Sequence, residues 1–389
     1  MNDFQVRLAR RFRKQQEFTA GYSPLYSRLF GILADWLAVG PGEDPLVDWL
    51  VRVGRKRSSF DVPLLLLAGV HRDILAGCAE VRDLARYFPS AGGTLPIDAG
   101  DIGACLRQAI EARAEVLADF VTTAQVQTNE TARGFCWLLP VAFTGWQSLH
   151  LVDLGASAGL NLVADQRHYR LTATTNERTS MDLGQGAPIQ FAVTGEGTYY
   201  PPSRAGFPAI RSRFGCDLAP VVLRSEREEQ TLAAFVWPDQ PERMALLRQG
   251  IAALHQINRT AVPVHLHRVD LPDNLPRFLA ERISPLNDAP VVLFNTYLTT
   301  YLRDKGASLR PHLAAWAARH PRPVLWLQWE TLWQGPEPPE FGWVGWTADL
   351  WQEGRHRHWH LAWTHPHGNR IRWLPDWAAW AAFWRDNCR

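Results

Sequence analysis

The sequence predicts an α/β fold in which an α-helical N-terminal region (about 1–146) precedes a mostly parallel sheet (about 147–389) that carries an antiparallel hairpin at one edge. Three observations carry this expectation. Apolar residues recur at three- and four-residue spacing up to about Trp146, which is the helical period. Beyond that point short apolar runs alternate with helix-like segments, the pattern of parallel strands joined by crossover helices. The first of these runs passes straight into a glycine turn, in the stretch "LVDLGASAGLNL" at 151–162.

Taken in order, Phe4, Leu8 and Phe12 mark a first helix. Leu25, Leu29, Ile32, Leu33 and Trp36 mark a second, which the Ser-Pro turn of "GYSPLY" would start. Helical spacing continues through 64–76, 101–125 and 130–143, interrupted by Pro/Gly segments such as "FPSAGGTLP". A strand is expected at 149–154 and a helix at 160–167. The Gly/Thr/Pro-rich insertion at about 171–209 has no helical period, only strand-like pieces such as 189–193. "SRFGCDL" then reads as a strand, 244–258 as a helix, and 262–270 and 291–295 as strands. A helix at 310–319 and a strand at 324–329 follow. Strands at 358–363 and 369–374, joined by "THPHG", form the edge hairpin, and 377–385 is a closing helix.

Composition excludes several classes of function. The 389 residues suffice for a large core, ordinarily in two domains. A net charge of +2 predicts no general affinity for nucleic acid or an anionic membrane. The basic runs at 10–14 and 52–57 are broken by apolar residues at helical intervals, as on a solvated helix face rather than a phosphate-binding patch. The N-terminus is charged throughout, and the longest apolar run, 62–70, is too short to span a bilayer and contains Pro63. A soluble, cytoplasmic protein is expected. Five scattered cysteines without a C-x-x-C pair argue against a disulfide framework and a zinc site, so no metal is expected. Of 18 tryptophans, 13 fall between Trp316 and Trp384. Their apolar settings, as in "VLWLQWETLW", read as aromatic core or a helix–sheet interface, with a carbohydrate- or base-stacking surface as the rival.

The centre of the glycine turn, Gly155-Ala156-Ser157-Ala158-Gly159, fits two chemistries. As G-x-S-x-G it is a nucleophile elbow with Ser157 as the attacking hydroxyl, and candidate partners follow in the chain, such as Asp304 or Asp349 with His365 or His367. An elbow, however, stands deep in an already-built sheet, and the preceding region here reads as helices. As a cofactor turn it follows the first strand of a nucleotide-binding sheet. Gly155 then permits the sharp turn, Gly159 permits close helix packing, and main-chain N–H groups at 155–159 face the ligand. Asp153 has no task in an elbow; in the cofactor reading it accepts from the ligand's ammonium or a bound water.

The pattern D-x-G-x-x-x-G resembles the first motif of class I S-adenosylmethionine-dependent methyltransferases. The resemblance implies a Rossmann-like domain in which Asp153, Gly155, Ala156, Ser157 and Gly159 line the methionine and ribose end of the donor. "GCDLAP" resembles the end of the second strand, implying that Asp217 holds the ribose hydroxyls. Such an acid normally comes about 20 residues after the turn, and the 171–209 insertion intervenes here, which leaves Asp165 as a rival. "HLHRVDL" resembles the third strand and puts Asp270 near the adenine amino group. "VVLFNTYL" resembles the fourth, with Asn295 and Tyr297 at the mouth where the acceptor sits. Across most of the chain, "FRKQQEFTAGYSPLY", "TNETARGFCWLLP", "DLGASAGLNLVADQRHY", "RFGCDLAP", "FVWPDQPER" and "THPHGNRIRWL" resemble a bacterial family, domain of unknown function 2332, which names no reaction.

Other polar groups remain. Asn129, Glu130 and Arg133 fall on one side of a helix before the first strand, either ordering the acceptor with Glu130 as base or capping the helix. His356, His358 and His360 alternate as on a solvent-facing strand edge, with metal ligation as the alternative. His265 and His267 read as core histidines, one of which the adenine edge would otherwise meet. His365 and His367 form a tight turn expected to lie away from the donor in a structural role, with a functional loop as the alternative. The resulting expectation is a methyltransferase using S-adenosylmethionine on a small-molecule acceptor. A serine hydrolase and a non-catalytic nucleotide-binding module are the rivals, and the oligomeric state is open.

Overall fold

The computed structural model describes residues 3–38, 42–127, 130–174, 179–186, 189–202, 206–333 and 335–387. The chain forms two compact units, one of Met1–Asn129 with Leu223–Arg248, the other of Glu130–Val222 with Gln249–Arg389.

The first unit is helical, and its early helices follow the spacing of the apolar residues: Asp3–Thr19, Pro24–Trp36, Pro45–Gly54 and Val62–Leu75. The Ser-Pro turn starts the second of them, since the Ser23 hydroxyl accepts from the Tyr26 N–H at 3.2 Å and Pro24 has no N–H to satisfy. The stretch expected as one helix at 101–125 is two, Ile102–Ala112 and Ala114–Thr123, broken at Arg113. Residues 223–248 join this unit through polar anchors. Asp239 accepts from the Ser23 hydroxyl and the Leu25 N–H, and the Ala234 carbonyl accepts from the buried His71 ring. Residues 130–146, by contrast, belong to the second unit, where the apolar helix Phe135–Val141 packs against the central strands.

The second unit is a mixed α/β structure around one sheet of eleven strands among the described residues. In chain order these are β1 (Ser148–Leu154), β2 (Tyr169–Ala173), β3 (Thr179–Leu183), β4 (Phe191–Glu196), β5 (Ala209–Asp217), β6 (Val264–Arg268), β7 (Val291–Thr296), β8 (Val324–Glu330), β9 (Val344–Gln352), β10 (Arg355–Thr364) and β11 (Arg370–Trp373). Their order in the sheet is β3-β2-β4-β11-β10-β9-β8-β7-β1-β5-β6. The segment β6-β5-β1-β7-β8 is wholly parallel and Rossmann-like, with the first strand at the centre. β1, β7 and β8 are almost continuously buried, as strands covered on both faces must be. The 160–167 helix is a 3-10 segment, Leu160–Gln166.

The hairpin β10–β11 lies inside the sheet. The insertion supplies β2, β3 and β4, and β4 pairs with the outer side of β11, so the edges are β3 and β6. β9 pairs antiparallel with both β8 and β10. The tryptophans take the core role: Trp326, Trp329, Trp346, Trp377 and Trp380 are fully buried. Among the described residues no single helix is long and apolar enough to cross a membrane.

Asp349 ties β9 to β10 and to the helix Leu309–Ala317. Fully buried on β9 beside Trp326 of β8, it accepts two hydrogen bonds from Arg310 (2.9 and 3.0 Å) and one each from His356 (2.9 Å) and His358 (3.0 Å) of β10. His356 and His358 stay solvent-exposed, as expected, while both bond to this one buried carboxylate. Burial alone would raise the Asp349 pKa, but the bonds from His358 and Arg310 outweigh it and bring it down to about 2. The folded value therefore lies below the unfolded one, so the carboxylate's contribution is complete above pH ~4 and disappears as the pH falls through about 2. Asp349→Asn is expected to remove about 2 kcal/mol of stability at neutral pH, with the deficit vanishing in acid. Urea unfolding of both proteins across that range measures it.

Candidate functional site

Strand order reverses at β1: β5 and β6 lie to one side, β7 and β8 to the other. The carboxyl ends of β1 and β7 form the topological switch point, where open α/β sheets bind ligands. Asp153 of β1 is level with Phe294 of β7 and Gly215 of β5.

The turn after β1 is stitched to β5. Gly155 and Ala156 donate their N–H groups to the Cys216 carbonyl (2.8 and 3.0 Å), Ser157 donates to the Asp217 carboxylate (2.9 Å), and Gly159 donates to the Ala156 carbonyl (2.7 Å). The Ser157 carbonyl in turn accepts from Val221 at 3.1 Å. These bonds hold Ser157 at φ +50°, a conformation rare for a residue with a side chain. The expected cradle of outward-facing amides at 155–159 is therefore corrected, since three of these N–H groups are spent on β5 and the fourth within the turn. The glycines serve close packing. A Cβ on Gly155 (φ +86°) would lie 3.0 Å from Leu298, and one on Gly159 (φ +77°) would lie 3.0 Å from Val264.

Two carboxylates stand at this turn. Asp217 ends β5 and is half-buried, and its second oxygen accepts from the Ala219 N–H at 3.0 Å. Asp153 is 3 % exposed, and among the described residues nothing hydrogen-bonds to its carboxyl group. Burial, reinforced by the Asp217 charge, holds its pKa well above the usual carboxylate range. The rival Asp165 is engaged elsewhere: Arg213 holds both its oxygens at 2.8 and 2.7 Å in a buried pair. Asp270 follows β6 and is exposed.

At the end of β7 the sequence reading needs another correction. Asn295 is completely buried and does not face the mouth: its Nδ2 donates to Glu330 at 2.6 Å and its Oδ1 accepts from Trp326 at 2.7 Å. The group that organises this end is Glu330, which closes β8. Its two oxygens also accept from the Leu298 N–H (2.7 Å), the Thr299 N–H (3.1 Å) and the Thr299 hydroxyl (2.7 Å). Burial raises its pKa, and these bonds oppose the rise. A lone acid closing an apolar strand, in "VLWLQWE", was the signal that sequence reasoning passed over.

Tyr297, at φ +57°, is held by its N–H on the Trp329 carbonyl (2.9 Å), and its ring lies under the Arg133 guanidinium at 4.0 Å. Burial raises the Tyr297 pKa and Arg133 opposes that rise. Arg133 also donates from Nε to the Pro366 carbonyl at 3.2 Å. Glu130 is 5 % exposed and makes no capping bond to the helical turn that follows; it meets His367 Nδ1 at 3.0 Å. The THPHG turn therefore lies against Glu130 and Arg133. Asn129 lies outside the described residues.

Fold and site together define an α/β protein with a Rossmann-like sheet and an acidic switch point. The family described as "uncharacterized protein conserved in bacteria", DUF2332, matches residues 9–373, and the chain belongs to it. No curated protein and no solved structure matches the chain.

Replacing Glu330 by Ala would leave two main-chain N–H groups and the Asn295 amide without their acceptor. A stability loss of about 3–5 kcal/mol is expected. Urea unfolding reads the loss, and hydrogen exchange should show the Leu298 and Thr299 amides losing protection first.

Proposed function

We propose that the second unit binds S-adenosylmethionine at the β1–β7 switch point and transfers its methyl group to a small-molecule acceptor. The observation that carries this reading is the bare, buried carboxyl group of Asp153 beside Asp217. A turn in which four of the five amides at 155–159 are already spent suits poorly a phosphate or pyrophosphate, which needs free N–H donors. Two adjacent carboxylates suit a ligand that is cationic, rich in hydroxyls and free of phosphate. S-adenosylmethionine has all three properties. Asp153 would hold its ammonium, Asp217 its ribose hydroxyls, and Asp270 would lie towards the adenine. The donor's sulfonium supplies the reactivity, so the chain's task is to align the acceptor and exclude water. Tyr297, Arg133 and Glu130 are the residues offered for the acceptor end.

The left-handed φ of Ser157 is the one observation favouring a serine hydrolase, since a nucleophile elbow imposes the same strain. The bond from its amide to Asp217 accounts for that strain without invoking catalysis. A fluorophosphonate probe should leave Ser157 unlabelled.

Calorimetry with S-adenosylmethionine and S-adenosylhomocysteine tests the main reading. Binding is expected to weaken as the pH falls through the raised pKa of Asp153, because the protonated acid no longer pairs with an ammonium. Asp153→Asn should bind at least about 10-fold more weakly at neutral pH, a loss of about 1.4 kcal/mol, and with little pH dependence. Folded wild-type protein that gives no heat with either ligand would overturn the proposal.

A further inference from the structure

We infer that His367 is the proton acceptor at the substrate end of this site, positioned by Glu130, and that it serves a hydroxyl or amino group carried on a planar apolar body. The inference rests on the methyl-transfer reading. Glu130 is buried, and its carboxylate meets Nδ1 of His367 at 3.0 Å. That contact selects the tautomer with the proton on Nδ1 and the lone pair on Nε2. The His367 side chain is 33 % exposed, and among the described residues its Nε2 has no hydrogen-bond partner. A carboxylate-oriented imidazole with an open second nitrogen is the arrangement a general base requires.

The turn that carries His367 is fixed on several sides. Gly368 donates to the His365 carbonyl at 2.9 Å, and a Cβ on it would lie 3.1 Å from Trp329 and 3.4 Å from Ala132. The Pro366 carbonyl receives Arg133, which stacks on Tyr297 three residues beyond the β7 residue that pairs with Asp153. Among the described residues, Glu130 and His365 face the ring, and Arg133 lies against the same turn. The acceptor's character follows from the rim. The Tyr297 hydroxyl donates to the Gly342 carbonyl at 3.3 Å, which ties to it the loop that carries Phe341, 97 % exposed. An aromatic side chain bared to that degree on a loop tied to Tyr297 suits a flat apolar partner.

In the step, the acceptor's proton passes to Nε2 while its electron pair bonds to the donor's methyl carbon. The carbon–sulfur pair stays on sulfur, and the imidazolium returns the proton to water.

Nitrogen NMR of isotope-labelled histidines in the full chain tests the pair without any donor. The expected result is a single His367 tautomer protonated at Nδ1, which Glu130→Ala converts into a mixture. An Nε2-protonated His367 in wild type would overturn the inference even if that variant fails to fold. The second test follows methyl transfer from labelled S-adenosylmethionine to a panel of phenols and aromatic amines. His367→Asn is expected to lower kcat about 10²–10³-fold with the donor's KM unchanged, a deficit that shrinks as the pH approaches the acceptor's own ionisation. A variant as fast as wild type, or a wild type that binds the donor and methylates nothing in the panel, would sink the inference. Absence of donor binding falls on the methyl-transfer reading alone, because the tautomer is read in the free protein.

Discussion

The carboxylate of Glu330 is the constraint on which the site's geometry depends. It closes β8 yet spends its hydrogen bonds on the end of β7 and the chain just beyond it, gathering Asn295, Leu298 and Thr299 around two oxygens. Each consequence lies one residue away. Leu298, held by its amide, places its side chain over Gly155 and sets how closely the first turn approaches β7. Tyr297, just before it, is forced into a left-handed conformation and turns its ring under Arg133. Thr299 shares its hydroxyl with the Trp333 indole, so the segment after β8 is tied to the same point. A single buried charge, costly to desolvate, is tolerated because its partners are main-chain and amide donors that would otherwise be unsatisfied.

The glycine turn shows a different economy. Four of its N–H groups bond to the Cys216 carbonyl, the Asp217 carboxylate and its own Ala156 carbonyl, so the turn is braced before any ligand arrives. That closure narrows the ligand chemistry more than the motif does. The G-x-x-x-G spacing alone admits a nucleophile elbow, a phosphate cradle and a nucleoside turn, whereas spent amides beside two acids leave acceptors as the available recognition groups. The same closure explains why Gly159 is glycine. With Val264 3.0 Å from where a Cβ would stand, the reason is the fit of one strand against the turn, not access to a ligand.

What was legible in the sequence follows the range of the interactions. Helical spacing marked the first helices, and the Ser23-Pro24 cap marked where one of them starts, because both signals lie within a few residues. The apolar runs of β1, β7 and β8 were equally plain. β9 was missed because it is buried on both faces along nearly its whole length and so shows no alternation. The hairpin read as an edge because pairing of β4 with β11 joins residues some 180 positions apart. Glu130 and His367 are separated by 237 positions, and only the folded sheet brings them together. Asp165 stood as a rival to Asp217 because its pairing with Arg213 joins residues 48 positions apart.

The buried acids of the second unit separate structural from functional roles. Glu130, Asp165, Glu330 and Asp349 each lie against a histidine, an arginine or a set of amides, so each charge is compensated within the fold. Asp153, among the described residues, has no such partner and faces a second acid, and its pKa rises accordingly. An uncompensated carboxyl group costs stability in the free protein, and an apolar residue of like size on the same strand would avoid that cost. At a purely structural position the expense has no return. At the carboxyl end of the central strand, where the strand order reverses, it is recovered when a cation arrives, because the ligand then supplies the charge that the fold withholds.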